Sequence, residues 1–187
     1  MRIGVYVGSF NPVHLGHKYV INYLIDNGYV DRIIVVPTGN YWNKTDLISV
    51  NHRINMLKYY ENDKIIINDY LNDKQYSYEI LDIIKKENKN DDIYLIIGAD
   101  NIPKFYLWKN VYSILKNKII VLNRNDIDIR KYIAKIDQDK FLILDNFNYL
   151  NISSTEIRKN VKENKDYLEK NVYNYIIENN LYNIKAF

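Results

Sequence analysis

Six short, almost unbroken apolar runs, rich in Ile and Val, constrain what this chain can fold into. They lie at Ile3–Val7, Arg32–Val36, Lys64–Ile67, Ile93–Ile97, Lys118–Leu122 and Phe141–Leu144, bounded by Gly, Asn, Asp or Lys. A strand with one wet face alternates apolar with polar residues. Continuous hydrophobicity belongs to strands covered on both faces, the usual condition of a parallel sheet. Between the runs the apolar spacing becomes helical: Tyr19, Ile21, Leu24 and Ile25; Ile54, Leu57 and Tyr60; Ile80, Leu81 and Ile84. The tail adds Ile157 and Val161, then Leu168, Val172, Tyr175 and Ile176. This rhythm predicts an α/β fold: a doubly wound, Rossmann-like parallel sheet of five to six strands, helices on both faces, and a helical C-terminal tail. Crossovers in such a sheet are right-handed, and ligands lie outside the carboxyl ends of the strands, where the strand order reverses.

The length, 187 residues, suits one domain over 1–187. With 47% hydrophobic and 26% charged residues, a packed core is expected rather than disorder. Lys plus Arg number 26 against 23 Asp plus Glu, a net charge of +3. The basic residues are scattered rather than striped, which argues against a nucleic-acid partner. The absence of cysteine excludes disulfides, thiolate zinc sites and cysteine nucleophiles, and fits a reducing, cytoplasmic setting. The first apolar run breaks at Gly8, too early for a signal peptide or a membrane span. The 19 Tyr, with abundant Asn, Ile and Lys, read as a compositional background that gives a single Tyr little functional weight. The polar stretch from Lys85 to Asp92 reads as a helix end and loop facing water, and neither a linker nor a repeat is visible.

Chemistry concentrates directly after the first run, in Gly8-Ser9-Phe10-Asn11-Pro12-Val13-His14-Leu15-Gly16-His17. A small residue at the strand's end lets backbone approach a ligand closely. Pro12 fixes the turn, and a helix is expected from near Leu15. His14 and His17 then sit at a helix N-terminus, where free N–H groups and the dipole favour anions. A lone His is most often structural, but two of the three in the chain occur here, paired behind a glycine turn. Zinc would need a third ligand nearby, and no Cys exists to supply it. Near the other end, Ser153 and Ser154 can cap a helix, leaving hydroxyls and N–H groups for a phosphate. Arg158, one turn on, adds a bidentate donor. Alone, that second segment would read as an ordinary helix start.

Together the two segments resemble the signatures of the nucleotidyltransferase superfamily: a glycine-led loop ending in H-x-G-H, and I-S-S-T-x-I-R, here Ile152 to Arg158. Class I aminoacyl-tRNA synthetases share a related first motif but are much longer and carry a lysine-rich second signature not found here. Val36-Pro37-Thr38-Gly39-Asn40, with Lys44 four residues later and then Arg53 and Met56, is similar to the nicotinate-mononucleotide adenylyltransferase family. The chain departs at Tyr41-Trp42-Asn43, where that family usually has prolines and a histidine. Tyr76-Ser77 resembles the family's Y-T step. Gly98-Ala99-Asp100, with Trp108 eight residues beyond, resembles its G-A-D segment and tryptophan. Val121-Leu122-Asn123-Arg124 resembles its fifth strand ending in arginine, and the likeness runs from Arg2 to about Tyr182.

The resemblance implies adenylyl transfer from ATP to nicotinate mononucleotide, giving nicotinate adenine dinucleotide and pyrophosphate. The attacking phosphate is largely dianionic at neutral pH, its second pKa being about 6, so no protein base and no covalent intermediate are expected. Catalysis then reduces to positioning and electrostatics. His14 and His17 would contact ATP phosphates, His17 nearest the developing charge, while Gly8, Ser9 and Phe10 offer backbone contacts. Lys44, Arg158, Ser153, Ser154 and Thr155 would hold phosphates. Lys44, Tyr76, Ser77, Asp100, Trp108 and Arg124 would serve the mononucleotide, Asp100 at a ribose and Trp108 against the pyridine ring. Mg²⁺ would arrive carried with ATP rather than in a protein site. The segments Tyr76–Tyr78 and Lys104–Lys109 are rich in donors, with Glu79 expected to point away, which favours a ring carboxylate over an amide. A nicotinamide-mononucleotide adenylyltransferase, a pantetheine-phosphate adenylyltransferase (shorter, without the G-A-D to Trp spacing) and a nucleotide-binding regulator without turnover remain alternatives. A homo-oligomer is left open.

Overall fold

The computed structural model describes residues 1–40, 46–124, 127–145, 147 and 152–183. All six apolar runs are strands: β1 (Arg2–Gly8), β2 (Arg32–Pro37), β3 (Ile65–Ile67), β4 (Asp92–Gly98), β5 (Lys118–Leu122) and β6 (Phe141–Leu144). They form one parallel sheet in the order β3-β2-β1-β4-β5-β6. The order runs outward from β1 in both directions, so the reversal point lies between β1 and β4. Their register pairs Tyr6 with Ile96, and two residues further on it brings Gly8 level with Gly98.

Both faces of the sheet are buried, which is why its strands read as continuous apolar runs. One core holds Ile33, Val35, Ile96 and Ile120 beneath α1 (Leu15–Asp26), α2 (Val50–Leu57), α5 (Ser154–Lys159) and α6 (Lys170–Glu178). The other holds Ile3, Val5, Leu95 and Val121 beneath α3 (Ser77–Glu87) and the short α4 (Val111–Ile114). The sheet is therefore doubly wound, with a helical tail. Among the described residues, no helix is long and apolar enough to cross a membrane.

Two details depart from the sequence expectation. The buried stripe of α1 is Gly16, Val20, Ile21 and Leu24, whereas Tyr19 is 40% exposed. Between β4 and α4 the chain forms a 3-10 helix, Ala99–Leu107, around Pro103. It buries Ala99, Ile102 and Phe105. That spacing of three matches a 3-10 turn and neither the helical nor the strand template, so periodicity does not reveal it.

Candidate active site

The turn after β1 is tightly built. A Cβ at Gly8 would lie 3.1 Å from atoms of the Phe10 ring. Phe10 adopts φ 47°, unusual for a residue with a side chain, and the Asn11–Pro12 peptide is cis. The Phe10 ring is buried edge-on to Tyr6 at 5.4 Å and to His17 at 5.0 Å. α1 then begins with His14 at its N-cap.

The two imidazoles close this helix end reciprocally. His14 Nδ1 accepts from the Gly16 N–H at 3.1 Å, and His17 Nδ1 accepts from the His14 N–H at 3.1 Å. The rings stack with centroids 3.8 Å apart. With each Nδ1 committed as an acceptor, each neutral ring carries its proton on Nε2. Burial and then the charge of Arg124 push the His14 pKa down to about 4. Burial, then His14, then Arg124 hold His17 well below the ordinary range. The pair at neutral pH is thus two uncharged N–H donors rather than two cations. This corrects the expectation of a helix end with free N–H groups. Those of Gly16, His17 and Lys18 are taken by His14 itself, the latter two through its carbonyl at 3.0 and 3.2 Å. The imidazoles add their own Nε2–H donors to this helix end.

The second signature packs directly on this turn. Ser153 occupies the N-cap of α5 without a side-chain capping bond. Ser154 does not cap either: its Oγ donates to the Pro12 carbonyl at 2.9 Å. The expected serine cap is therefore replaced by a tertiary bond, because α5 ends against the glycine turn rather than in water. Arg158 Nη1 donates to the Asn11 carbonyl at 2.8 Å, and Nη2 lies 3.4 Å from Thr155 Oγ1. Thr155 and Arg158 line a cleft of about 600 Å³, together with Asp46, Lys159 and Tyr182. Asn11 is a residue the sequence reading missed. It is 2% exposed; its Nδ2 donates to the Asp46 carbonyl at 2.8 Å and its Oδ1 accepts from the Tyr182 hydroxyl at 2.9 Å. Nothing in its local sequence marks that role, since its partners come from distant segments.

The remaining positions gather at the carboxyl ends of β4 and β5. A Cβ at Gly98 would meet Asp100 Oδ1 at 2.5 Å and Arg124 Nη2 at 3.8 Å, so both side chains crowd the end of β4. The charge of Arg124 also acts on Tyr6, His14 and His17, which joins this group to the histidines. Trp108 is half-buried, its ring 5.3 Å from Phe105. The next residue, Lys109, holds its Nζ 4.9 Å above the Tyr76 ring, so the segment after the 3-10 helix meets the start of α3. Ser77 opens α3, and Glu79 turns back to accept from the Tyr76 N–H at 3.0 Å. Lys44 lies outside the described residues; Asn40 and Asp46, which flank its segment, are described. Among the described residues, no group of three or more His, Asp or Glu could hold a metal ion. What the site offers is neutral N–H donors, guanidinium groups, hydroxyls and an aromatic face, a set suited to a polyanionic nucleotide.

Comparison with known proteins agrees with this geometry. The Cytidylyltransferase-like family matches residues 5–160. A protein of Acholeplasma laidlawii named a probable nicotinate-nucleotide adenylyltransferase is 37% identical over 95% of this chain and 96% of its own. One of the same name from Borreliella burgdorferi is 36% identical over 97% of each. Among solved structures, the Plasmodium falciparum nicotinic acid mononucleotide adenylyltransferase complexed with NaAD superposes with a TM-score of 0.80 over 98% of both chains, at 25% identity. Its complex with APC gives 0.79. Shared sequence along almost the entire length, on the same sheet and with both signatures in contact, means that the chain belongs to the nicotinate-nucleotide adenylyltransferase family.

Proposed function

We propose that this protein transfers the adenylyl group of ATP to nicotinate mononucleotide, releasing pyrophosphate and forming nicotinate adenine dinucleotide for NAD synthesis. The observation that carries the reading is the His14–His17 pair. Its rings are stacked, pinned through Nδ1 and kept neutral, at the reversal point of a parallel sheet. A phosphate oxygen of the mononucleotide attacks the α-phosphorus of ATP in line, the bond to the β-phosphate bridging oxygen breaks, and pyrophosphate leaves with that oxygen. The nucleophile enters already ionised, so the site supplies no base. Two Nε2–H donors meet charge developing on the α-phosphate, preorganised by the helix end they cap. Arg158, Lys44 and the hydroxyls of Ser153 and Thr155 receive the distal phosphates, while Ser154 holds α5 against the turn. Gly8, Ser9 and Phe10 bring backbone to the nucleotide. Asp100 serves a ribose, Trp108 offers its face to the pyridine, and Tyr76, Ser77 and Arg124 complete the acceptor side. Mg²⁺ enters as part of the ATP substrate and neutralises charge on its phosphates. Residues 1–187 act as one domain, in the cytoplasm where both substrates are free in solution.

The nicotinate form is the acceptor in this reading. A ring carboxylate only accepts hydrogen bonds, and Glu79, the carboxylate directly beside the Tyr76–Tyr78 stretch, is spent on the Tyr76 N–H. Pyrophosphate release from MgATP, measured with nicotinate mononucleotide, nicotinamide mononucleotide, phosphopantetheine and no acceptor, tests it. The expected result is release only with a pyridine mononucleotide, and a higher kcat/KM for the acid. Equal or reversed values would overturn the preference; release with none of them would overturn the reaction.

A further inference from the structure

Arg53 lies on α2 and is completely buried, 0% exposed. A buried guanidinium ordinarily has a carboxylate beside it, because desolvating an unbalanced charge is costly. None pairs with Arg53 among the described residues. Its donors go to three neutral acceptors instead: Nε to the Ile48 carbonyl at 3.2 Å, Nη1 to the Ser9 carbonyl at 2.7 Å, and Nη2 to Asn40 Oδ1 at 3.0 Å. Burial lowers its pKa from the ordinary value, yet an arginine keeps its proton in proteins. Among the described residues the cation behind the glycine turn therefore has no balancing charge. A link needed only for packing could be replaced by an apolar side chain of similar volume at little cost or some gain in stability.

The three acceptors show what the cation connects. Ser9 belongs to the turn after β1, Asn40 follows β2, and Ile48 precedes α2. Asn40 Nδ2 also reaches toward the Leu47 and Ile48 carbonyls at 3.2 and 3.4 Å, and Asn11 grips the Asp46 carbonyl. Both flanks of the stretch that carries Lys44 are thus tied to the turn. We propose that Arg53 is a positioning residue for ATP: its guanidinium locks the glycine turn to the loop after β2, and its unbalanced charge favours a polyphosphate entering over Ser9. It touches no substrate. This rests on the reading above that the turn receives ATP, and it adds that the missing counter-charge is the substrate's own.

Three variants separate charge from tether. Arg53→Met removes both, Arg53→Lys keeps the charge without the three-way fork, and Asn40→Ala, at an exposed position, cuts one tether and leaves the cation. Affinities for a non-hydrolysable ATP analogue, ADP and AMP are measured by calorimetry, beside kcat, KM and the thermal midpoint. For Arg53→Met the expected loss is roughly 10- to 100-fold for the ATP analogue, shrinking through ADP to AMP. Arg53→Lys should keep that affinity within several-fold but lose kcat, and Asn40→Ala should lose kcat with only a small fall in the thermal midpoint. Equal losses for all three nucleotides, or a folded Arg53→Met with wild-type affinity and kcat, would overturn the proposal. If Arg53→Met does not fold, wild-type kcat in both other variants overturns it. A wild type that binds the analogue but turns over no mononucleotide would instead overturn the adenylyl-transfer reading, and the graded nucleotide affinities would still decide this one.

Discussion

The imidazoles of His14 and His17 are held uncharged and fixed by hydrogen bonds at the start of α1. Each spends one nitrogen closing the helix end and keeps one N–H, so the two roles can be separated by substitution. Asn at position 17 can still accept from the His14 N–H but has no Nε2–H at the same reach. His17→Asn should therefore lose roughly 10²- to 10³-fold in kcat with little change in thermal midpoint. His17→Ala should add a stability loss of about 1 kcal/mol for the missing cap. Wild-type turnover in either variant would remove His17 from the chemistry. His14 also makes stability depend on pH. Its pKa falls from 6.5 to about 4 on folding, so the unfolded chain binds more protons between those values. Its contribution is complete above pH 6.5 and is lost as pH falls toward 4, by on the order of 3 kcal/mol. Urea unfolding at several pH values should show this slope, and His14→Gln should lessen it while the part due to buried His17 remains. The H-x-G-H spacing alone placed both residues at a helix start. It carried no sign of their neutrality, which depends on Phe10, Tyr6 and Arg124 closing around them.

α5 shows how an element of six residues becomes part of the site. It is too short to hold itself as an isolated helix. Ile157 seats it in the core, and Ser154 and Arg158 bind the Pro12 and Asn11 carbonyls. Ser154→Ala should cost about 1 kcal/mol of stability and shift nucleotide affinity only modestly. If Arg158 holds the distal phosphates as proposed, Arg158→Ala should weaken ATP by roughly 10-fold or more while AMP changes little. Equal weakening of both would place its partner elsewhere. The strands were legible because burial on both faces leaves a continuous apolar trace. The 3-10 helix at Ala99–Leu107 was not, because its period of three fits neither common template. The serines read correctly as the start of a helix, and Ser153 takes the N-cap position, but neither side chain makes a capping bond. Ser154 turns instead to the Pro12 carbonyl, a partner from the other end of the chain that no local pattern contains.

Across the whole molecule, two cores on opposite faces of one sheet hold the ends of β1, β4 and β5 at a common level, and the candidate site lies at those ends. Leu24 in α1 is completely buried in the first core. Leu24→Ala should cost about 2–5 kcal/mol in chemical denaturation, whereas Tyr19→Ala, on the exposed side of the same helix, should cost far less. Neither should change kcat per folded molecule, which distinguishes scaffold from site. Fold class, the helical tail and the helix starts at Leu15 and Ser154 follow from local pattern, because burial periodicity and turn chemistry are written in neighbouring residues. The folding of the chain decided the rest. Asn11 gains its role from Asp46, Arg158 and Tyr182, the last 171 residues away. Arg53 is one residue of an otherwise ordinary helix until Ser9, Asn40 and Ile48 close over it. Hydrogen-bond partners and desolvation are properties of what the chain brings together in space, and no window of neighbouring residues contains them.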